Sequence, residues 1–554
     1  MSSPVMRRQA PPSVAANLTR RALLASGLGF AATLCGMRTG HAIGTAARGG
    51  TLDFAVLVEP KGYDLVSNTA FAFLHPLAPH YSTLLKFDAD DYPRITGDLA
   101  ESWTVSRDRR TYTFKLWPNV LFHDGTPLTS ADVKATYERI VRPPPGIVSA
   151  RRADYASIET IVTPDPHTVV FQLAWPDAAA LENFASPWNG VYSAARLAED
   201  PSFPDKHVLG TGPFVFVEHL VGKHWRARRW EKYFRASRPY LDGYQAYFME
   251  VSELVHAFTS GRIQAEFRGV SPPQREALTA ALGDNIKMFE SPWLSELLVV
   301  FNTQKPPLND VRVRRALSLA IDRWAAAEKL QDSTFLKYVG GLMRPGSNMA
   351  IPEAALIELP GFGHDIAAAR AEAVRLLADA GVRDLQLSLL VRDIPMPHYA
   401  GATLLSDSWK EIGVTATQQR LNISDWQKRV DHRDFDVAQD FQGDYFDDPT
   451  IQLTKYVSPD LSPVNFSGAT DRFLDALYIG QAMSPNPVER LKILRAFEQH
   501  ALTQAYTVPL LWWNRSVAIS GRVHGWNVTP SHFIGQDLAD VWLDPIENAR
   551  RSEK

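Results

Sequence analysis

A single cysteine, Cys35, in 554 residues removes every intramolecular disulfide and every Cys-rich zinc site from what this chain can fold into. Buried apolar surface has to hold it. One core does not serve at this length, because chains beyond roughly 250 residues divide into lobes with separate cores. With 45% apolar residues the chain is too apolar for disorder, so two or three folded lobes are expected. The net charge of -3 and pI near 6.6 lack the basic excess of a protein built to bind nucleic acid.

The N-terminus reads as an export signal. Arg7, Arg8, Arg20 and Arg21 precede a thirteen-residue apolar run at 22–34 (ALLASGLGFAATL), and small residues follow around Gly40 and Ala42. The run is too short to span a bilayer of about 30 Å, and its charged start and small-residue exit are those of a cleaved signal. Cleavage is expected near 42–47. The stretch TRRALL at 19–24 resembles the twin-arginine export motif, with general secretory export as the alternative. Leu34 stands where a lipoprotein signal wants a small residue, so Cys35 is not expected to carry lipid. Without residues 1–47 the chain has 53 basic against 61 acidic residues, a charge of -8, and the mature protein is expected in the periplasm.

Beyond the signal, strand and helix signals alternate. TYTFKL at 111–116 sets Tyr112, Phe114 and Leu116 at the period of two of a half-buried strand. An Asp124-Gly125 turn follows, then Thr129 and Asp132 at the spacing of a capping box that opens a helix over 130–140. Val313, Leu317, Ala320, Ile321 and Trp324 predict one amphipathic helix over 311–324. A second is predicted from Ile366 to Leu377, capped by Asp365 and stopped by Gly381. Apolar runs at 385–391, 414–418 and 508–513 read as strands, which makes a mixed α/β chain.

Ten blocks then carry a resemblance. GDLAESW at 97–103, TYTFKL at 111–116, FHDGTPLTSADV at 122–133, GTGPF at 210–214, PYLD at 239–242, FTSGR at 258–262, NDVRVRRAL at 309–317, LLADAG at 376–381, WKEIGV at 409–414 and FDV at 435–437 together resemble the signature of the family 5 extracellular solute-binding proteins. These are the dipeptide, oligopeptide and nickel-binding receptors of ATP-binding-cassette importers. The resemblance implies an α/β, bilobal periplasmic-binding-protein fold of the cluster C type, with an extra subdomain and a two-segment hinge. It implies lobe I at 48–91, the extra subdomain at 92–208, lobe I again at 209–301, lobe II at 302–508, and a return to lobe I with the tail at 509–554. Most blocks have a plain structural reading: Trp103 as core, and the glycines at 210–212 as a tight crossover needing glycine dihedrals.

The same resemblance points to a site in the loop DFQGDYFDD at 440–448. Phe441, Gly443 and Asp444, with Tyr445 beside them, match the aromatic, glycine and aspartate with which peptide-binding relatives hold a ligand's α-ammonium. A carboxylate in a closed cleft suits that task, through a charge-assisted hydrogen bond. The alternative is that Asp444 is a solvated loop acid. The relatives usually carry Trp where Phe441 stands and Gly where Asp440 stands, which leaves the choice of peptide open. Asp440, Asp444, Asp447 and Asp448 would suit a cation if they face inward; a solvated acidic face is the other reading. Trp426 matches a pocket aromatic and Arg433 a base for the ligand's carboxylate, against core packing and a surface ion pair. Asn68 and Thr69 stand where lobe I begins to touch ligand.

The leading expectation is a monomeric receptor that passes a small peptide or peptide-like amine to membrane permease subunits, with no cofactor. A metal chelate, opine or sugar conjugate is the alternative, although the fifteen His show no close metal-binding pair. An enzyme is the third class. The chain lacks the Gly-x-Ser-x-Gly elbow, the Ser-x-x-Lys pair, the His-Glu-x-x-His helix and the Gly-x-x-x-x-Gly-Lys phosphate loop.

Overall fold

Two long strands organise the molecule. The computed structural model describes residues 46–545; the expected export signal with its arginine pair and Cys35, and the tail at 546–554, lie outside the described residues. Ile286–Phe301 and Thr507–Ser520 run antiparallel from Ile286 opposite Ser520 to Val300 opposite Thr507. Thr507–Ser520 is buried along nearly its whole length, which explains why its apolar run shows no alternation. The ladder is interrupted once, by register shifts between Pro292 and Glu296 and between Glu296 and Leu298.

Strands are added to opposite ends of this pair. Beyond the interruption, Val437–Gly443 pairs with residues 295–301 of the first long strand, and Gln386–Arg392 and Thr415–Leu421 extend that edge in parallel. Before it, Ala265–Glu266 pairs with Ile519 and Ala518, and leads to Thr51–Val56, Gly243–Phe248, His224–Arg229 and Phe214–Leu220. One sheet therefore serves two cores. Leu52, Phe54, Trp225 and Tyr244 close one, and Leu297, Val299, Leu389 and Trp409 the other. The fold is the bilobal α/β architecture that the resemblance implies.

A separate antiparallel sheet, in the order Ala100–Val105, Thr111–Leu116, Thr168–Leu173, Ile158–Asp165, packs Tyr112, Phe114 and Phe171 around Phe184. Helix Ser130–Val141 covers it and opens on the expected capping box, with Thr129 donating its backbone N–H to Asp132 Oδ2 at 2.7 Å. Helix Ile366–Asp379 likewise begins at Asp365, whose Oδ1 accepts from the Ala368 N–H at 2.9 Å.

Two sequence readings change. The single helix expected over 311–324 is two, Val311–Leu319 and Arg323–Leu330, because Asp322 caps the second by accepting from the Ala325 N–H at 3.0 Å. The glycines at 210 and 212 are required for contact rather than for dihedrals. A Cβ on Gly210 would stand 2.2 Å from the His80 carbonyl oxygen, and one on Gly212 would stand 2.5 Å from the backbone of His80 and Tyr81.

Candidate functional site

The acidic loop at 440–448 leaves the end of Val437–Gly443, and what each carboxylate meets decides which of them is free. Asp440 is buried against Arg392 at 2.7 Å and against Lys455. Burial alone would raise its pKa, but the two cations hold it below the ordinary range. Asp447 takes Arg344 in a fork, Nε to Oδ1 at 2.9 Å and Nη2 to Oδ2 at 2.8 Å, and also accepts from Tyr92 Oη at 3.1 Å. Asp448 takes both terminal nitrogens of Arg490 at 2.6 and 2.7 Å and caps Pro449–Gln452. These three acids are satisfied within the protein. Asp444 is the exception: its Oδ1 accepts the Tyr445 N–H at 2.7 Å, and among the described residues no Lys, Arg or His lies within ion-pair distance. Burial, and after it the charge of Asp154, pushes its carboxyl up to about 7.

Asp154 comes from the separate sheet's domain, on the short turn Arg152–Tyr155. Burial raises it to about 6, against the opposing charge of Arg151. Arg151 does not neutralise either acid. Its guanidinium donates to the carbonyls of Leu65, Asn68 and Trp188 at 3.3 to 3.4 Å and stacks on Trp188 at 5.3 Å. Asn68 is thereby joined to this group through its carbonyl, while its side chain accepts the Ala70 N–H at 2.7 Å. Thr69 is exposed beside it.

An aromatic run forms the adjoining wall. Trp293 meets Trp513 edge to face at 5.7 Å, and Trp513 stacks on Phe441 at 6.0 Å. Phe441 is part-exposed, with Arg392 over its ring at 5.0 Å. Leu294, next along the strand from Trp293, accepts the Asp444 N–H at 3.4 Å. Gly443 lets the loop lie against the strand, since a Cβ there would stand 2.8 Å from Ser295 Oγ. Tyr445 turns away, its hydroxyl donating to Asn183 Oδ1 at 3.1 Å, and so ties the loop to the domain that carries Asp154.

Phe441, Gly443, Asp444 and Tyr445 thus share one stretch of loop, and Asn68 is linked to it through Arg151, whose charge acts on Asp444, whereas Thr69 is joined to it only as the neighbour of Asn68. Trp426 is one layer below it, fully buried, with Arg392 over its ring at 3.3 Å and Phe466 edge-on at 6.0 Å. Arg433 is not brought there. It precedes Val437–Gly443 at the other end, about 20 Å of strand from Asp444, with its carbonyl held by Asn302 Nδ2 at 2.9 Å. Asp154, Arg151, Trp293 and Trp513 were not singled out from sequence, since each is a lone residue far along the chain from Asp444; strand pairing brings in Trp293 and Trp513, and the packing of the separate sheet's domain on the loop, through Tyr445 and Asn183, brings in Asp154 and Arg151. A cavity of about 370 Å³ also opens near Phe533, lined among others by Lys86, Asp98, Arg235 and Asp537. Lys86 is paired with Asp537 at 2.6 Å and Arg235 with Asp98 at 2.9 Å, so it offers less unspent charge than the Asp444 locality. Among the described residues no group of three or more His, Cys, Asp or Glu is placed to hold a metal ion, and no helix is long and apolar enough to cross a membrane.

The model for bacterial extracellular solute-binding proteins, family 5, matches residues 94–461. The chain belongs to this family. Over 503 residues, 88% of this chain and 91% of the relative, it is 24% identical to the probable D,D-dipeptide-binding periplasmic protein DdpA of Escherichia coli K12. Two similar solved structures are the periplasmic binding proteins AgaA of Agrobacterium tumefaciens R10 in complex with agropinic acid and DppA of Helicobacter pylori in complex with the peptide STSA. Both have a TM-score of 0.74 and cover 90% of this chain and 99% of theirs, at 24% and 22% identity. A family 5 receptor binds small ligands and works with the permease components of an importer.

Proposed function

We propose that the protein is exported to the periplasm by its N-terminal signal, of the twin-arginine type, and there captures a small peptide or peptide-like amine for an ATP-binding-cassette importer. Asp444 is the anchor. The observation that carries this is the contrast among four neighbouring acids: three are matched by Arg or Lys, and Asp444 is half-buried with none. A buried carboxylate without a cation is costly, and a ligand ammonium supplies what is missing. Phe441, Gly443 and Asn68 shape the locality, Tyr445 holds the loop in place, and the lobes divide at the boundaries read from the sequence. Binding and release, rather than turnover, is the reading for this site. Agropinic acid in AgaA and STSA in DppA support both peptides and opines as candidates. A thermal-shift screen of di- and tripeptides, amines and opines against the wild type and Asp444→Asn tests this: ligands that raise the wild-type Tm should lose most of their effect on the variant. Equal shifts in both would remove Asp444 as anchor.

A further inference from the structure

We infer that Arg268 receives a carboxylate of the same ligand, so that the site selects a molecule carrying an amine and an acid at once. The inference rests on Asp444 taking the amine. Arg268 follows the short strand Ala265–Glu266 of the first lobe, and its guanidinium lies between the rings of Phe71, at 4.8 Å, and Trp293, at 5.4 Å.

Its surroundings leave the charge unspent. The buried arginines Arg139, Arg344, Arg392 and Arg490 each have an aspartate, and Arg323 and Arg515 direct their nitrogens to backbone carbonyls. Arg268 does neither. Among the described residues no carboxylate lies within ion-pair distance of it, and its Nε is buried without an acceptor. Glu266 is the acid nearest in sequence, but its two oxygens accept the backbone N–H groups of Arg268 and Gly269 at 2.9 and 2.6 Å. The other titratable neighbours add no negative charge. His532 accepts the Trp293 indole N–H on Nδ1 at 3.2 Å, and the His75 ring meets the His532 carbonyl at 2.9 Å. Burial keeps both imidazoles neutral, well below their ordinary range, and Arg515 behind them is a second cation. Burial also lowers Arg268 itself, with Glu266 only partly opposing. An enclosed guanidinium between two aromatic faces, with positive charge behind it, is a receptor for a planar anion, which its fork matches in geometry.

The place is right for a ligand held at Asp444. Trp293 lies against Arg268, and Leu294, the next residue, holds the Asp444 backbone. Phe71, on the other side of the guanidinium, is three residues from Asn68. The two charges therefore flank the same short piece of strand, with Arg268 in the first lobe and Asp444 on the loop of the second. Arg268 takes the role that the sequence pattern offered to Arg433.

The test uses randomised di- and tripeptide libraries in three forms: free at both ends, C-terminally amidated, and N-acetylated. Each is titrated into wild type, Arg268→Met and Arg268→Lys, with circular-dichroism melts as the check on folding. The free library should bind the wild type about 10- to 100-fold tighter than the amidated one, the range for loss of a charge-assisted hydrogen bond. Arg268→Met should abolish that preference while leaving amide affinity unchanged, and Arg268→Lys should restore part of it. Equal affinity for acid and amide in the wild type, or equal weakening of both forms by Arg268→Met in a folded protein, would overturn the assignment of Arg268. The N-acetylated library separates the two ideas: if it binds as well as the free one, the amine reading at Asp444 fails. Absence of binding by all three libraries would overturn both.

Discussion

Acidifying the solution should switch off the charge that Asp444 offers an amine. Its carboxyl is raised from 3.8 to about 7, so between those values the empty folded protein keeps a proton that the unfolded chain has released. That term stabilises the empty fold least at high pH and is relieved as pH falls through about 7. Ligand binding has the opposite dependence: an ammonium requires the ionised carboxylate, so the proton must leave when the ligand enters. With a carboxyl titrating near 7, the ionised fraction falls from about three-quarters at about pH 7.5 to about one-thirtieth at about pH 5.5, a loss of about 25-fold in affinity. Asp154, raised to about 6, adds to the loss at the acid end. Isothermal titration of the strongest peptide from the screen, across this range and in buffers of different ionisation heat, measures both the affinity and the proton released. Asp444→Asn should bind weakly at every pH, release no proton, and melt higher than the wild type when empty at about pH 7.5. An affinity that is flat with pH in the wild type, or an unchanged slope in Asp444→Asn, would refute the link between this carboxylate and the ligand.

Trp426→Ala should cost about 3 to 5 kcal/mol in chemical denaturation, as expected for a large buried aromatic, and Arg433→Ala should leave peptide affinity within about twofold. Gly212→Ala should destabilise by more than about 2 kcal/mol, because its Cβ would meet backbone at 2.5 Å. Ala at Gly363, where the nearest neighbour of a Cβ is 3.6 Å away and the backbone is ordinary, should change the melting temperature little.

Local order was legible where a residue's partner is a near neighbour. Asp132 answers Thr129 three positions away and Asp365 caps its own helix, so spacing alone found both. The failed single helix over 311–324 has a related cause. The apolar spacing continues through Ala320 and Ile321, but Asp322 finds the Ala325 N–H and starts a new helix. The site was legible on one side only. Asp444 lies in a block with a recognisable pattern, whereas Asp154 and Arg268 stand 290 and 176 positions upstream and come near it only in the packed chain, Arg268 next to a strand of the large sheet and Asp154 from the domain of the separate one. Nothing local distinguishes Arg268 from Arg433, and neither has a carboxylate within ion-pair distance among the described residues; what separates them is place, Arg268 lying against Trp293 and Arg433 at the far end of Val437–Gly443, which is a property of the packed chain.

Were the lobes to turn about the interruption between Pro292 and Leu298, its position would set the lever arms of the molecule. Trp293 and Leu294, which touch Arg268 and the Asp444 backbone, sit at the one place where the two long strands lose register. A swing of one lobe about that point moves the pivot by little and the rim by much, because displacement grows with distance from the axis. The Ala178 N–H donates to the Ala482 carbonyl and the Arg109 guanidinium to that of Pro485, so a swing that separates those segments has to break both. A ligand seated beside the pivot would therefore already feel both charges while the mouth is wide, so capture and closure need not be simultaneous events.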